Sequence, residues 1–261
     1  MAVKQLKNGK AAGVDNTQPE LLKFADSVIP HLTRVCNMMW QHEATPVDWK
    51  NGIIIPLPKK GNLTDCNNWR GIALLSVPGK VFSRVLLNCM KSAVDQLLRQ
   101  EQAGFSPGRS CMDQIFSLRQ IIEKVTEEQK PIILVNFVDF RKSFDCIHRP
   151  ALWKILELYG VPKKISTIIQ KLYQESNSAV KVDGDMSSWF QVITGVRKGC
   201  ILSTRLFATM IDWVLRRSTE RSAGGITWTG DLHLCDLDFA DDIALIDDSW
   251  SKIQLTTSVL H

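Results

Sequence analysis

None of the seven cysteines forms a Cys-x-x-Cys pair. They are odd in number and scattered, at Cys36, Cys66, Cys89, Cys111, Cys146, Cys200 and Cys235. This argues against a zinc ribbon or a disulfide framework and for a reducing compartment. The five histidines are equally dispersed, so no histidine-based metal site is legible. No apolar run reaches the length of a membrane span, and the N-terminal residues carry no signal-peptide h-region. An intracellular, soluble protein is expected, with nucleus and cytoplasm not distinguished. Gly-x4-Gly-Lys-Ser/Thr is absent, which removes a Walker-type phosphate loop. There is no internal repeat and no low-complexity linker.

What is present is an ordinary globular composition: 261 residues, 44% hydrophobic and 23% charged, enough for a sizeable core in one or two domains. The net charge of +5 is unevenly placed. Asp231, Asp236, Asp238, Asp241, Asp242, Asp247 and Asp248 lie within eighteen residues that hold no Lys or Arg, and the remainder carries 20 acids against 32 bases. A basic body around a concentrated acidic stretch fits a polyanion-binding protein with a local cation site; a mildly basic protein with an acidic loop fits the charge equally well.

Residues 1–45 read as mainly helical and basic, with Gly13-Val-Asp15 feeding a helix near Pro19. Short strands are expected at Ile53–Leu57 and Ile72–Leu75, with the basic turn Lys59-Lys60-Gly61 after the first. Apolar spacing predicts one long helix over Lys80–Gln102. A Gly/Pro loop, residues 104–110, leads to a helix opening at Asp113 and running to about Lys130. Pro131–Phe140 reads as a strand and Pro150 as a helix start, with a further helix to about Gln174. A hairpin is expected around Asp183-Gly184, a basic loop at Gly195–Gly199, an amphipathic helix over Ser203–Arg217, a hairpin over residues 234–247 and a helix in the last dozen residues. Strands and helices do not alternate as in a doubly wound sheet, so the expected class is α+β.

The run Phe239-Ala240-Asp241-Asp242-Ile243 carries the most information. Two adjacent carboxylates between two apolar segments read as a tight hairpin with acids at its tip. Like charges side by side repel unless a cation neutralises them, and Asp offers oxygen ligands suited to Mg²⁺. Asp139 ends another strongly apolar run. If the strands are neighbours, three Asp converge, the minimum for two-metal phosphoryl transfer. Alone, Asp139 reads more readily as a solvated strand-end acid, and paired Asp at a turn is common. The hairpin lacks Gly, so an Asp is expected to approach a left-handed conformation. Asp145 reads as a cap or turn acid rather than a ligand. Lys59, Lys60 and Arg70 flank the early strand pair and suit a triphosphate, or simply a solvated basic turn.

Taken in order, these segments resemble the reverse transcriptases of non-LTR (LINE-type, jockey/CR1-like) retrotransposons over nearly the whole chain. Lys10-Ala-Ala-Gly-Val-Asp15 with Pro19-Glu20 resembles the family's N-terminal extension motif. Asn68-Trp69-Arg70-Gly71-Ile-Ala-Leu-Leu resembles its fingers motif, and Gln102-Ala-Gly104-Phe105-Ser-Pro-Gly-Arg109-Ser110 the next one. Phe137-Val-Asp139-Phe-Arg-Lys-Ser-Phe144-Asp145 is similar to the palm motif with the first catalytic Asp. Gly195-Val-Arg-Lys-Gly199-Cys-Ile-Leu-Ser203 resembles the loop and helix that hold the incoming base pair, and Phe239-Ala-Asp241-Asp242 closes the set.

The resemblance implies a right-hand polymerase palm and fingers without a thumb: an N-terminal extension over 1–45, then fingers and palm over 46–261, truncated shortly after the double-Asp hairpin. It implies RNA-directed DNA polymerisation by two-metal nucleotidyl transfer onto a primer 3′-hydroxyl. Asp139, Asp241 and Asp242 are then catalytic, and with Phe140 they form the site of two Mg²⁺ ions, Mn²⁺ being a possible substitute. Lys59, Arg70, Phe144, Lys198 and Gly199 would bind the dNTP, with Phe144 as the steric gate against a 2′-hydroxyl. Phe105, Gly108 and Arg109 would touch template or primer. RNA template, DNA primer and dNTPs are the implied partners; thumb and endonuclease are expected on the full-length element protein. Lys198 stands where the family usually has Gln, Ile201 and Thr204 where it has Pro, Phe239 where it has Tyr, and Ser143, a mild change, where Ala is common. Two other readings compete. One is an inactive remnant that at most binds nucleic acid. The other is an RNA-dependent RNA polymerase, against which Phe144 argues.

Overall fold

The computed structural model describes residues 2–106, 108–129, 133–222, 224–228 and 233–260. In chain order its elements are α1 (Pro19–Phe24), α2 (Val28–His42), α3 (Val47–Lys50), β1 (Gly52–Pro58), β2 (Trp69–Leu75), α4 (Val77–Asp95), α5 (Cys111–Glu127), β3 (Leu134–Asp139), α6 (Arg149–Leu158), α7 (Lys163–Tyr173), β4 (Asn177–Val182), β5 (Asp185–Met186), β6 (Phe190–Gln191), α8 (Ser203–Ser222), β7 (Ile226–Thr227), β8 (His233–Leu234), β9 (Asp236–Phe239), β10 (Asp242–Asp247) and α9 (Trp250–Leu260). Helices and strands are mixed without a βαβ repeat, as the α+β expectation requires. Among the described residues no helix is long and apolar enough to cross a membrane.

The chain divides into two compact units, residues 1–96 with 144–206, and residues 97–143 with 207–261. Residues 1–45 fall inside the first unit. There, β1 and β2 pair antiparallel over their whole length, and β4 adds to β1 in parallel. β4 also pairs antiparallel with both β5 and β6, which gives the expected hairpin around Asp183-Gly184. The N-terminal motif packs on the exit of β2. A Cβ on Gly13 would lie 2.4 Å from the Leu75 carbonyl carbon, and Ser76 Oγ donates to Asp15 Oδ2 at 2.5 Å. Ser76 also caps α4, accepting from the Gly79 amide.

In the second unit the sheet order is β3-β10-β9, all antiparallel. β10 is the middle strand, and all of its residues after Asp242 are buried, which explains its unbroken apolar run Ile243–Ile246. Leu237, Ala244 and Ile246 pack with Ile121 of α5 and Ile226 into one apolar cluster. Helix α5 begins with a reciprocal capping box. Ser110 Oγ accepts from the Asp113 amide, and the Asp113 carboxylate accepts from the Ser110 amide.

Two expectations need correction. The long helix over Lys80–Gln102 stops at Asp95. Beyond it the backbone finds other partners: the Arg99 amide donates to Asp212 Oδ1, and Gln102 forms a parallel bridge with Asp238 of β9. Helical spacing continued past Asp95 in the sequence, but these hydrogen bonds to β9 and α8 replace the helical ones. The left-handed residue of the double-Asp hairpin is Ala240 (φ 61°), not an Asp. The expected strand at Pro131–Phe140 begins at Leu134; Pro131 and Ile132 lie outside the described residues, as does Lys130.

Candidate active site

In the second unit, the β3–β10 register sets Asp242 opposite Asp139 and continues through Ile243 and Val138 to Asp247 and Leu134. The sheet brings together two carboxylates separated by a hundred residues because both sit at strand ends, where the apolar run stops and water begins. Asp139 and Asp242 are exposed and Asp241 is half-buried in the turn. Phe140 follows Asp139 directly and is half-buried. The Asp242 carboxyl is pushed above the usual carboxylate range, first by desolvation and then by the negative charges of Asp241 and Asp139. Asp242 therefore feels both neighbouring acids.

The donor set suits a hard divalent cation, since all three side chains offer carboxylate oxygen. Among the described residues, however, no three Asp, Glu, His or Cys side chains already converge at metal-binding separations. Asp241 Oδ2 is turned to accept from Ser143 Oγ at 2.8 Å. Ser143, a mild change in the sequence comparison, thus touches a candidate ligand directly. An apolar cavity of about 200 Å³ lies against the same strands; Phe137, Phe239 and Ile115 line it together with Asp139 and Asp242.

The rest of the acidic stretch does other work. Asp236 and Asp238 are buried in β9 and face Arg99, whose guanidinium is 2.7 Å from Asp236 and 2.8 Å from Asp238. Arg99 Nε is also 3.2 Å from Asp212 of α8. Burial pulls the Arg99 pKa down, but the three acids outweigh it and hold the group firmly cationic. Burial, and then the Asp236 carboxylate, push Asp238 well above the usual carboxylate range. Asp247 accepts from the Gly225 and Ser249 amides. Asp248 is exposed, and Asp231 lies outside the described residues. The sequence shows these acids only as part of one acidic stretch, compatible with a local cation site or with an acidic loop, and does not single out Arg99. The available signal was the period-2 spacing of Asp236 and Asp238 in a strand, which aims both at one face and calls for a buried cation.

The residues expected to bind a nucleotide lie in the first unit. Lys59 and Arg70 stand at the loop end of the β1–β2 hairpin, where Leu57 pairs with Arg70 and Pro58 with Trp69. Both cations are exposed, and Lys59 Nζ donates to the Asn67 carbonyl at 3.3 Å. Phe144 is half-buried, and its carbonyl accepts from the Val196 amide at 2.8 Å. Gly195 (φ 72°) leaves no room for a side chain: a Cβ would lie 2.7 Å from the Phe144 oxygen. At the other end of that loop a Cβ on Gly199 (φ 118°) would lie 2.3 Å from the Ala73 oxygen, and the Lys198 carbonyl accepts from the Ala73 amide at 2.7 Å. The loop thus ties Phe144 to β2. Lys198 Nζ pairs with Asp145 at 2.5 Å, so Asp145 is an ion-pair partner of the loop. Arg197 turns inward and donates to the Trp49 carbonyl. Buried Arg149 donates to the carbonyls of Val192, Thr194 and Gly195 and holds the loop's entry.

The candidate template or primer residues are in the second unit. Phe105 (φ 60°) is exposed, nothing lies within 4 Å of a Cβ built on Gly108 (φ 76°), and Arg109 donates to the Gln100 carbonyl. Pro107 between them lies outside the described residues.

Comparison with known proteins points one way. The family model described as reverse transcriptase (RNA-dependent DNA polymerase) matches residues 57–260. The chain is 24% identical over 246 residues to the transposon TX1 uncharacterized 149 kDa protein of Xenopus laevis, covering 94% of this chain and 19% of that protein. It is 27% identical over 206 residues to the retrovirus-related Pol polyprotein from type-1 retrotransposable element R2 of Popillia japonica, covering 78% and 28%. It is 25% identical over 257 residues to the RNA-directed DNA polymerase from mobile element jockey of Drosophila melanogaster, covering 96% and 27%. The chain spans between a fifth and just over a quarter of the length of these relatives.

Proposed function

Because the chain belongs to the reverse transcriptase family, of the non-LTR retrotransposon kind, we propose that it forms the fingers and palm of an RNA-directed DNA polymerase of a mobile element. It transfers deoxynucleotides to a primer 3′-hydroxyl against an RNA template. The observation that carries this reading is the β3–β10 register, which pairs Asp139 with Asp242 and leaves Asp241 in the adjoining turn.

Asp139, Asp241 and Asp242 are assigned the divalent ions, with the backbone at Phe140 as a further oxygen donor. Bound there, Mg²⁺, or Mn²⁺ in its place, supplies acidification of the primer 3′-hydroxyl and neutralisation of the leaving pyrophosphate. The chain's own residues position and exclude. Ser143 orients the Asp241 carboxylate. Lys59 contributes a mobile point charge and Arg70 a planar fork, both suited to a triphosphate. Phe144, fixed by the Val196 hydrogen bond, carries the ring that fills the volume of a 2′-hydroxyl. Lys198 and Gly199 present a loop edge to the nucleotide, and Phe105, Gly108 and Arg109 a loop to the template or primer. RNA is held largely through its backbone by the basic surface.

The test is primer extension on an RNA template with dNTPs. Extension should require a divalent ion, and Asp139→Asn should reduce it about a thousandfold, the scale of losing roughly 4 kcal/mol of charge stabilisation. A wild-type chain that binds template–primer but adds no nucleotide at any metal concentration favours the binding-only alternative.

A further inference from the structure

Ala240, immediately before Asp241, sits in the left-handed region at φ 61°. An alanine there is strained by about 1–2 kcal/mol, so something must hold it. The holder is one side chain. Gln102 is buried, with 2% of its surface exposed. Its Oε1 accepts from the Ala240 amide at 2.9 Å and from the Gly104 amide at 2.8 Å, and its Nε2 donates to the Ala240 carbonyl at 3.3 Å. Both polar groups of the strained residue are therefore taken by a single primary amide.

The segment around Gln102 is itself fixed. The Ala103 amide donates to the Asp238 carbonyl at 2.9 Å, and the Asp238 amide donates to the Glu101 carbonyl at 3.2 Å. Gln114 Nε2 reaches the carbonyls of Glu101 and Asp238 from α5. Gly104 closes against the turn so tightly that a Cβ would lie 2.2 Å from the Ala240 nitrogen. Residues 101–104 thus lie along β9 as an added edge, and the Gln102 amide rests on the hairpin tip.

The Ala240 carbonyl shares its peptide plane with the Asp241 nitrogen. Orienting that plane fixes the Asp241 nitrogen and Cα, from which its side chain projects. We propose that Gln102 is a positioning residue for Asp241: its amide holds the strained Ala240 peptide so that Asp241 and Asp242 are presented together to a divalent cation. This rests on the reading of those acids as the polymerase's cation ligands. A primary amide suits this position, since it offers a donor and an acceptor at once; a carboxylate keeps the acceptor alone, and a thioether provides no N–H donor and only a weak acceptor.

The experiment uses the whole chain and two readouts that need no catalysis: Mn²⁺ affinity by the EPR signal of free ion, and amide hydrogen exchange resolved by residue. An Asp241→Asn control identifies binding at these acids. In Gln102→Met, exchange at Ala240 should quicken about tenfold while Leu237 and Leu245 keep their protection, and Mn²⁺ affinity should fall several-fold, the scale of losing buried hydrogen bonds. Gln102→Glu should keep Ala240 protected. Where primer extension is measurable, Gln102→Met should lower kcat and leave the KM for dNTP unchanged. A folded Gln102→Met chain with wild-type Mn²⁺ affinity overturns the inference. If that variant does not fold, the wild type decides: added Mg²⁺ should slow exchange at Ala240 and Asp241 but not at amides of α9, and no such slowing overturns it. A wild type that binds Mn²⁺ at these acids yet extends no primer sinks the polymerase reading alone.

Discussion

Replacing Arg99 by methionine removes the cation shared by Asp212, Asp236 and Asp238; Asp212 keeps Arg216 Nη2 at 3.4 Å. The side chains of Asp212 and Asp238 are 0% exposed and that of Asp236 is 2% exposed, so water cannot take over from the guanidinium. Removing one partner of such a buried pair costs about 3–5 kcal/mol. Against a typical total stability of about 5–15 kcal/mol this is a large fraction. At roughly 2–4 °C per kcal/mol for a chain near this size, the melting temperature should fall by about 10 °C. The loss should also depend on pH. The folded pKa of Asp238 lies above its unfolded value, so between the two the folded state binds more protons. Stability from this group is therefore fully present below the unfolded pKa, about 3.9, and declines as pH rises through the folded one. Without Arg99 nothing opposes that rise, so Arg99→Met should be hurt most at neutral pH and recover part of its stability near pH 5. Urea denaturation at pH 5 and pH 7 measures both. A change under about 1 kcal/mol at pH 7, or an equal loss at both pH values, would refute the reasoning.

Gly199→Ala should lower the melting temperature, because a methyl group would lie 2.3 Å from the Ala73 oxygen and φ is 118°; a cost of about 1–3 kcal/mol is expected by thermal unfolding. Lys198→Gln should change stability by less than about 1 kcal/mol, since its ion pair with Asp145 is partly solvated, while altering the KM for dNTP in steady-state extension. Phe144→Val should raise incorporation of rNTP relative to dNTP at least about tenfold, a ~1.4 kcal/mol change in discrimination; a wild type that already uses both equally would remove the DNA-polymerase assignment.

Sequence alone placed the strand ends that carry Asp139 and Asp242, because an apolar run that stops at an acid is a local signal. It also placed the β1–β2 hairpin and most helices, since period and capping are local too. It could not tell which of seven clustered acids face water and which face inward. Asp236 and Asp238 look like Asp241 and Asp242 until Arg99, more than a hundred residues away, is set beneath them. Nor could it end the helix after Asp95, because what ends it is a set of hydrogen bonds to β9 and α8. The left-handed residue was assigned to an Asp by intrinsic preference, yet Ala240 takes it. A buried amide across the turn makes that conformation worth adopting. Residue chemistry and periodicity fixed the parts and the chemistry available to them. Long-range pairing decided which charges are solvated, because desolvation depends on neighbours that no local stretch of sequence contains.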